Sequence, residues 1–417
     1  MSVIGYGEFT HAVHARFSDQ RVPLDVTLEL THRCPLACQH CYNNLPMADR
    51  DAANRELTID DYKQILDELA AMGTFWLLFS GGEPFARKDF LDIYTYAKHK
   101  GFLITIFTNG TVLTPAIADY LAQYPPFAIE ITLYGYSKQV YEEMTQQPGS
   151  YDRCMRGINL LLERGLPLKL KTVPTSINKH EVFQMQQYAQ ELGVEFKFDS
   201  LINPRIDCSQ SPLGVRLTPA EVVAFDYVDP ARKAEYRRLL DHDVAAGPPP
   251  AGNDLYYCGG GLRSCAVDPY GYMSICVISQ HTPYNVREGG FRKGWDMALQ
   301  ATRSKQRTRP SKCSSCQIQS LCGMCPANGE LENNDPESPV EFLCQVAHLR
   351  AMALGAEVPA HGECECCRGG LSYLELEDAV AQLPSTIEQL SVPGRALLPV
   401  INSTTSANTG CGGRCGH

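Results

Sequence analysis

The chain reads as an α/β protein: a partial (β/α)6 TIM-like barrel followed by a small cysteine-rich domain. Three observations predict this. Between residues 25 and 199, six short apolar strand patterns alternate with helical ones. Glycine-bearing turn signals fall where those strands end, at the C-terminal edge that barrel proteins use for their sites. The 18 cysteines are unevenly spread, with three early and most of the rest from Cys258 onward.

The elements follow in order. Asp25–Leu30 alternates, with Val26, Leu28 and Leu30 on one face, and runs directly into a cysteine loop. Thr58 followed by Asp61 is a capping-box pattern. Ile59, Tyr62, Ile65, Leu66 and Leu69 then give one helix its apolar face. Strands are expected at Phe75–Ser80, Leu103–Thr108, Ala128–Leu133, Leu168–Val173 and Glu195–Asp199. Helices are expected near Asp89–His99, from Thr114, over Tyr151–Arg164 and near Asn178–Leu192. Such alternation argues for a parallel sheet. Six strands are too few for a closed eight-stranded barrel, and a doubly wound open sheet is the competing arrangement.

Composition excludes some classes. A net charge of -10 argues against nucleic acid as the main partner, because phosphate binding needs a basic surface. No run of about 18 apolar residues is present, so no membrane helix is expected. Met1–Phe17 lacks an apolar signal region, which points to the cytoplasm. Cysteines in a reducing compartment are more often ligands than disulfides.

Cys34, Cys38 and Cys41 stand in the frame C-x3-C-x2-C, with Tyr42 next. Three thiolates so spaced can hold three corners of a four-iron, four-sulfur cluster and leave one iron open. Zinc with His32, His40 or a distant fourth ligand is the alternative.

The run Cys34–Tyr42 resembles the signature of the radical SAM enzymes. That resemblance implies that S-adenosylmethionine chelates the open iron. One electron from an external flavodoxin- or ferredoxin-type reductant then yields a 5′-deoxyadenosyl radical. Gly81, Gly82, Glu83 and Pro84 are similar to the family's GGEP segment, which implies that Glu83 accepts from the amino group of the cofactor. Thr108-Asn109-Gly110 is similar to its TNG, which implies that Asn109 meets the ribose. Thr132-Leu133-Tyr134-Gly135 stands where the family often has Ser-Leu-Asp-Gly. Thr132 keeps the hydroxyl, and Tyr134 replaces the Asp. The family's next segment carries an Arg that Thr145–Tyr151 lacks. Lys171 reads as a solvated strand-end lysine, with a substitute grip on the cofactor carboxylate as the alternative.

Cys258, Cys276, Cys313, Cys316, Cys322, Cys325 and Cys344 resemble the SPASM extension of radical SAM peptide maturases. One departure is that two residues, not three, separate Cys322 from Cys325. The resemblance implies two auxiliary four-iron clusters, and so three clusters in all. Cys258, Cys276 and Cys325 would hold the first, with Cys265 as a fourth ligand or that position open. Cys313, Cys316, Cys322 and Cys344 would hold the second. Structural zincs are the alternative for these cysteines too. Asp268-Pro-Tyr-Gly271 reads as a hairpin turn. Val277 stands where sulfatase-maturing relatives carry an Asp base, which disfavours formylglycine formation. Cys154 and Cys208 read as thiols without a ligand role, and His11, His14 and His281 as solvent or packing residues.

The expected boundaries are an arm at 1–22, the barrel at 23–230, a linker at 231–257 containing Pro248–Pro250, the SPASM domain at 258–350 and an extension at 351–417. In that extension Cys364, Cys366 and Cys367 cluster, and a helix over Leu371–Leu383 is expected to end at Pro384. The tail from Ile401, with Cys411 and Cys415, is small, polar and Gly-rich. It reads as a flexible end; it also resembles the core of a ribosomal peptide, and a cluster-delivery arm is a third reading. The resemblance implies a peptide-modifying oxidoreductase that acts on a ribosomally made precursor peptide and closes a thioether or C–C bond. No leader-binding winged helix is legible before strand one, so a separate leader-binding protein is expected. A small-molecule enzyme of cofactor biosynthesis and a non-catalytic zinc scaffold are the competing functions.

Overall fold

The computed structural model describes residues 5–247, 252–279 and 284–390. Pro248–Pro250, His281 and the tail with Cys411 and Cys415 lie outside the described residues. The described residues form two compact units: 21–215 with 259–279 and 284–304, and 5–20, 216–247, 252–258 and 305–390.

The first unit is the partial barrel. Its strands are β1 (Asp25–Glu29), β2 (Trp76–Ser80), β3 (Leu103–Thr108), β4 (Ala128–Thr132), β5 (Leu168–Thr172) and β6 (Glu195–Phe198). They pair in parallel in sequence order. Between them run α1 (Ile59–Met72), α2 (Phe90–His99), α3 (Pro115–Gln123), α4 (Lys138–Thr145), α5 (Ser150–Leu162) and α6 (Val182–Glu191).

Register explains the core. Val26, Leu77 and Ile104 align across three strands, as do Leu28, Phe79 and Ile106. All six are buried. Each contributes about 1.5–3 kcal/mol of burial free energy. Phe79 meets Phe90 of α2 edge-on, so this face is the one the helices cover. The opposite face carries Glu29, Ser80, Glu130, Thr132 and Lys171 toward the strands' C-terminal ends. Helix α1 starts as its sequence specifies, with Thr58 and Asp61 bonding reciprocally. Tyr62, Ile65, Leu66 and Leu69 are its buried face.

The segment after Cys258 extends this sheet. Strand β7 (Ser264–Val267) pairs in parallel with β1, on the edge away from β2. Strand β8 (Tyr272–Ser274) returns antiparallel, as the hairpin reading expects, and β9 (Tyr284–Asn285) follows. The Asp268 carboxylate accepts from the amides of Tyr270 and Tyr272 and shapes the turn.

The second unit is helical, with α7 (Pro219–Val228), α8 (Pro230–Ala246), α9 (Pro326–Asn333), α10 (Glu341–Ala353) and α11 (Tyr373–Leu390). Its centre is a buried ion pair. Arg350 of α10 donates to Asp226 of α7 at 2.9 and 2.7 Å and to the Leu321 carbonyl at 2.7 Å. Such a pair needs every hydrogen bond satisfied, because desolvation otherwise outweighs the attraction.

One element differs from its sequence expectation. Helix α11 does not stop at Pro384 but runs on to Leu390. Proline in a helix interior costs about 3 kcal/mol. Leu376, Leu383 and Leu390 recur every seven residues, and all are buried. Burial on both sides of Pro384 therefore carries the helix through. Pro384→Ala is expected to stabilise this unit by about 1–3 kcal/mol in chemical denaturation. A loss of stability would instead mean that the surrounding packing is fitted to the proline.

Candidate cluster and cofactor site

The site begins at the end of β1. Arg33–Cys34 pairs with Leu45–Pro46 in a short parallel ladder that closes the cysteine loop on itself. The far side of the loop hangs on the end of α4, where Ala37 and Gln39 donate to the carbonyls of Thr145 and Met144. Arg205 donates to the Cys41 carbonyl and to Asn44, and Ile206 donates to the Tyr42 carbonyl.

Within this frame Cys34, Cys38 and Leu36 form one buried cluster, with Cys41 and Tyr134 packed against it. Asn109 Nδ2 lies 3.4 Å from Cys34 Sγ. Burial pushes all three thiols up, most strongly at Cys34 and Cys38. Bare thiolates are therefore disfavoured here, and a bound cation is what would hold them deprotonated. Such a pocket fits a metal cluster. Of the histidines considered as zinc partners, His32 is engaged by a carboxylate, whereas His40 lies beside the cluster of thiols with its Nδ1 buried and unpartnered. His32 Nε2 lies 3.3 Å from Glu29, and His40 packs on Tyr134 while burial lowers its pKa to about 4.

The Gly81–Pro84 segment acts through its backbone. Gly82 and Glu83 donate to the carbonyls of Thr31 and Arg33 at 2.6 and 3.1 Å. A Cβ at Gly81 would stand 2.3 Å from the Thr31 oxygen, and one at Gly82 would stand 2.5 Å from the oxygens of His32 and Arg33. No side chain fits at either place. The glycines thus lay the end of β2 directly on the strand that enters Cys34.

Glu83 joins the ends of two neighbouring strands. It is fully buried. Its carboxylate accepts from the Thr108 hydroxyl at 2.8 and 2.9 Å, the Asn109 amide at 2.8 Å and the Phe85 amide at 3.2 Å. These bonds tie the end of β2 to the end of β3 and set Asn109 beside Cys34. The Asn109 oxygen is itself held by the amide and hydroxyl of Thr111. Pro84 opens the short helix that follows.

Glu29 carries no sequence signal, yet it organises the loop. It accepts from Tyr42 at 2.8 Å and Asn43 at 2.7 Å, and the Asn43 oxygen lies 3.6 Å from Cys41 Sγ. A buried carboxylate that ends a strand was the only clue available. Glu56 does similar work, accepting from Thr31, Arg33 and Arg87.

Thr132 ends β4 in register with Lys171. Lys171 is not a solvated strand-end lysine. Its side chain is 16% exposed, its ammonium is 3.3 Å from Glu130, and it lies over the Phe107 ring. Burial lowers its pKa to about 7 despite Glu130. The neighbouring Lys171 and Lys197 ammoniums hold Glu130 below its usual range.

The later cysteines divide between the units. In the helical unit Cys313, Cys316, Cys322 and Cys344 line one cavity, walled also by Tyr257, Lys312, Met324, His348 and His361. Burial pushes the Cys322 thiol up to about 12. Cys258 and Cys325 belong to the same unit, where burial and then the Cys258 charge raise the Cys325 thiol to about 11. Cys276 belongs to the barrel unit and is near enough to Tyr42 to raise its phenol, after burial and Glu29. Cys265 is in register with Val26 on the helix-covered face of the sheet, and it is buried there. Cys154 is buried in α5 beside Tyr141.

Residues 28–187 match the model of the Radical SAM superfamily. The chain is 25% identical over 334 residues to the AdoMet-dependent heme synthase of Methanosarcina barkeri, covering 75% of this chain and 94% of that one. It is 27% identical over 343 residues to the mycofactocin maturase MftC of Mycolicibacterium smegmatis, covering 76% and 82%. The crystal structure of Streptococcus suis SuiB bound to precursor peptide SuiA superposes with a TM-score of 0.57 and 19% identity, covering 81% and 80%. The fold is thus the partial barrel of radical SAM enzymes. Residues 28–187 carry a radical SAM domain, which implies S-adenosylmethionine and one four-iron cluster, and a cysteine-rich extension follows it. No helix among the described residues is long and apolar enough to cross a membrane.

Glu83→Ala is expected to destabilise the barrel by about 2–4 kcal/mol, because it leaves buried amides without an acceptor. The wild-type carboxyl also titrates. Burial lifts its folded pKa to about 7, above the unfolded value. Its stabilising contribution is therefore complete at low pH and lost as pH rises through 7. Wild type should lose more stability than Glu83→Gln between about pH 5 and 8. Parallel pH profiles in urea denaturation would contradict the internal role.

Proposed function

We propose that this enzyme modifies a ribosomally made precursor peptide by radical chemistry. The convergence of Cys34, Cys38 and Cys41 in one buried pocket at the barrel's C-terminal edge carries the reading. When bound there, the cluster with S-adenosylmethionine supplies one-electron cleavage to a 5′-deoxyadenosyl radical that takes hydrogen from carbon. The chain's own residues bind, orient and exclude water. The three cysteines would hold the cluster, with Asn109 and Tyr134 against its thiolates. Tyr42, Gly81, Gly82, Glu83, Pro84, Asn109 and Thr132 would border the cofactor. Lys171 stands ready to meet a carboxylate.

Cys313, Cys316, Cys322 and Cys344 would hold one auxiliary four-iron cluster. Cys258, Cys276 and Cys325 would hold another, with Cys265 left to the sheet core. The product class is a thioether or carbon–carbon crosslink. An external one-electron reductant, a separate leader-binding protein and a cytoplasmic setting complete the proposal. Similarity to MftC, named a maturase, and to SuiB, crystallised with a precursor peptide, supports the substrate class.

A second reading is a small-molecule step in cofactor biosynthesis. Similarity to a heme synthase over 94% of that relative favours it. Offering a candidate precursor peptide and a tetrapyrrole in parallel decides between the two. The first reading expects the peptide's mass to fall by about two hydrogens per crosslink, with the tetrapyrrole unchanged.

Anaerobic reconstitution is expected to give about twelve irons per chain. Replacing Cys34, Cys38 and Cys41 together by Ala should leave about eight and abolish 5′-deoxyadenosine formation. Retained 5′-deoxyadenosine in that variant would contradict the assignment.

A further inference from the structure

We propose that His348, His361, Cys364 and Cys367 form a mononuclear zinc site that uses no cysteine assigned to a cluster. It adjoins those cysteines: His348 and His361 also line the cavity of Cys313, Cys316, Cys322 and Cys344, and His361 bonds Cys316. One ligand atom from each of the four lies within 4.8 Å of all the others. Cys367 Sγ is 3.5 Å from His348 Nε2 and 3.3 Å from His361 Nδ1. Cys364 Sγ is 3.8 Å from His348 Nε2. Tetrahedral zinc has bonds of about 2.3 Å to sulfur and 2.0–2.1 Å to nitrogen, so its sulfur–nitrogen edges are about 3.5 Å. These three sulfur–nitrogen distances already stand near that spacing. A gap of this size holds one ion, not a cube of four irons.

Burial supports the assignment. The four residues are 2%, 7%, 7% and 4% exposed, in chain order. His348 Nδ1 lies 2.8 Å from the Cys344 carbonyl one turn back on α10. That bond places the proton on Nδ1 and leaves Nε2 to face the thiols, as a second-shell carbonyl does for a metal-bound imidazole. His361 Nδ1 also lies 2.9 Å from the Pro359 carbonyl, a contact that zinc would replace. Cys366 lies outside the four converging ligands; its thiol meets Glu341 at 3.3 Å and also bonds Cys364.

Four protein ligands make a closed site, which is structural rather than catalytic. Two thiolates and two imidazoles suit zinc better than a cluster that takes cysteines. His348 belongs to α10, and the other three belong to the segment leading to α11. The ion would therefore pin that segment, and the start of α11, to α10. This inference stands apart from the peptide chemistry, since it uses no cluster ligand.

Full-length protein, purified anaerobically, tests it by metal analysis and zinc X-ray absorption. About one zinc per chain is expected beyond the iron, with two sulfurs at about 2.3 Å and two nitrogens at about 2.0–2.1 Å. Cys364→Ala and Cys367→Ala should each lose zinc while keeping wild-type iron and 5′-deoxyadenosine formation. Iron-replete wild type without zinc would overturn the proposal, as would zinc bound by sulfur alone. Loss of about four irons in Cys364→Ala would overturn it too, by making the cysteine a cluster ligand. If the variants fail to fold, the wild-type absorption spectrum decides alone. Zinc with this ligand set in a protein that binds no iron would support the site and count only against the clusters.

Discussion

The contact on which the rest of the site depends is between two stretches of bare backbone. The amides of Gly82 and Glu83 lie on the carbonyls of Thr31 and Arg33, so closely that no Cβ could stand at Gly81 or Gly82. This fixes the chain as it enters Cys34. From there the geometry passes sideways along the strand ends. Glu83 reaches the end of β3, Asn109 faces Cys34, and Glu29 holds Tyr42 and Asn43 under Cys41. Parallel register makes this possible, because it brings consecutive strand ends to the same edge. The thiols so gathered are buried and reluctant to ionise, which suits a site whose charge is balanced by metal.

The chemistry of that edge differs from that of the sheet's covered face. Val26, Leu77 and Ile104 give the helices an apolar layer, whereas Glu130, Lys171 and Lys197 place charges around Phe107 on the other side. Holding Lys171 near pH 7 in such surroundings keeps one ammonium close to the point of losing its proton. In the helical unit, the Arg350–Asp226 pair joins α7 to α10, the helix that carries both Cys344 and His348. The proposed metal ligands in both units thus hang from elements that are rigid for independent reasons.

Much of the barrel was legible in the sequence. Alternation and capping fix β1 to β6 and the start of α1, since each signal is local. Pairing of β7 with β1 was not, because the four residues Ser264–Val267 carry no mark of a partner more than two hundred positions away. The internal hydrogen bonds of Glu83 were hidden for a similar reason. A carboxylate after two glycines looks the same whether it meets a ligand or the amide of Asn109. Lys171 looked solvated until Glu130 and Phe107 came beside it. Pro384 stopped a helix by local rule, and only the burial of Leu390 explains why it continues. Cys364, Cys366 and Cys367 were visible as a group, but His348 sits on a different element and gave no hint that it joins them.

The central claim is that Cys34, Cys38 and Cys41 leave one iron open to S-adenosylmethionine. Electron paramagnetic resonance of the dithionite-reduced protein tests this most directly, on a variant in which the later cluster cysteines are replaced. The single remaining cluster should give a signal that changes when S-adenosylmethionine is added. A cluster signal indifferent to S-adenosylmethionine would contradict the account.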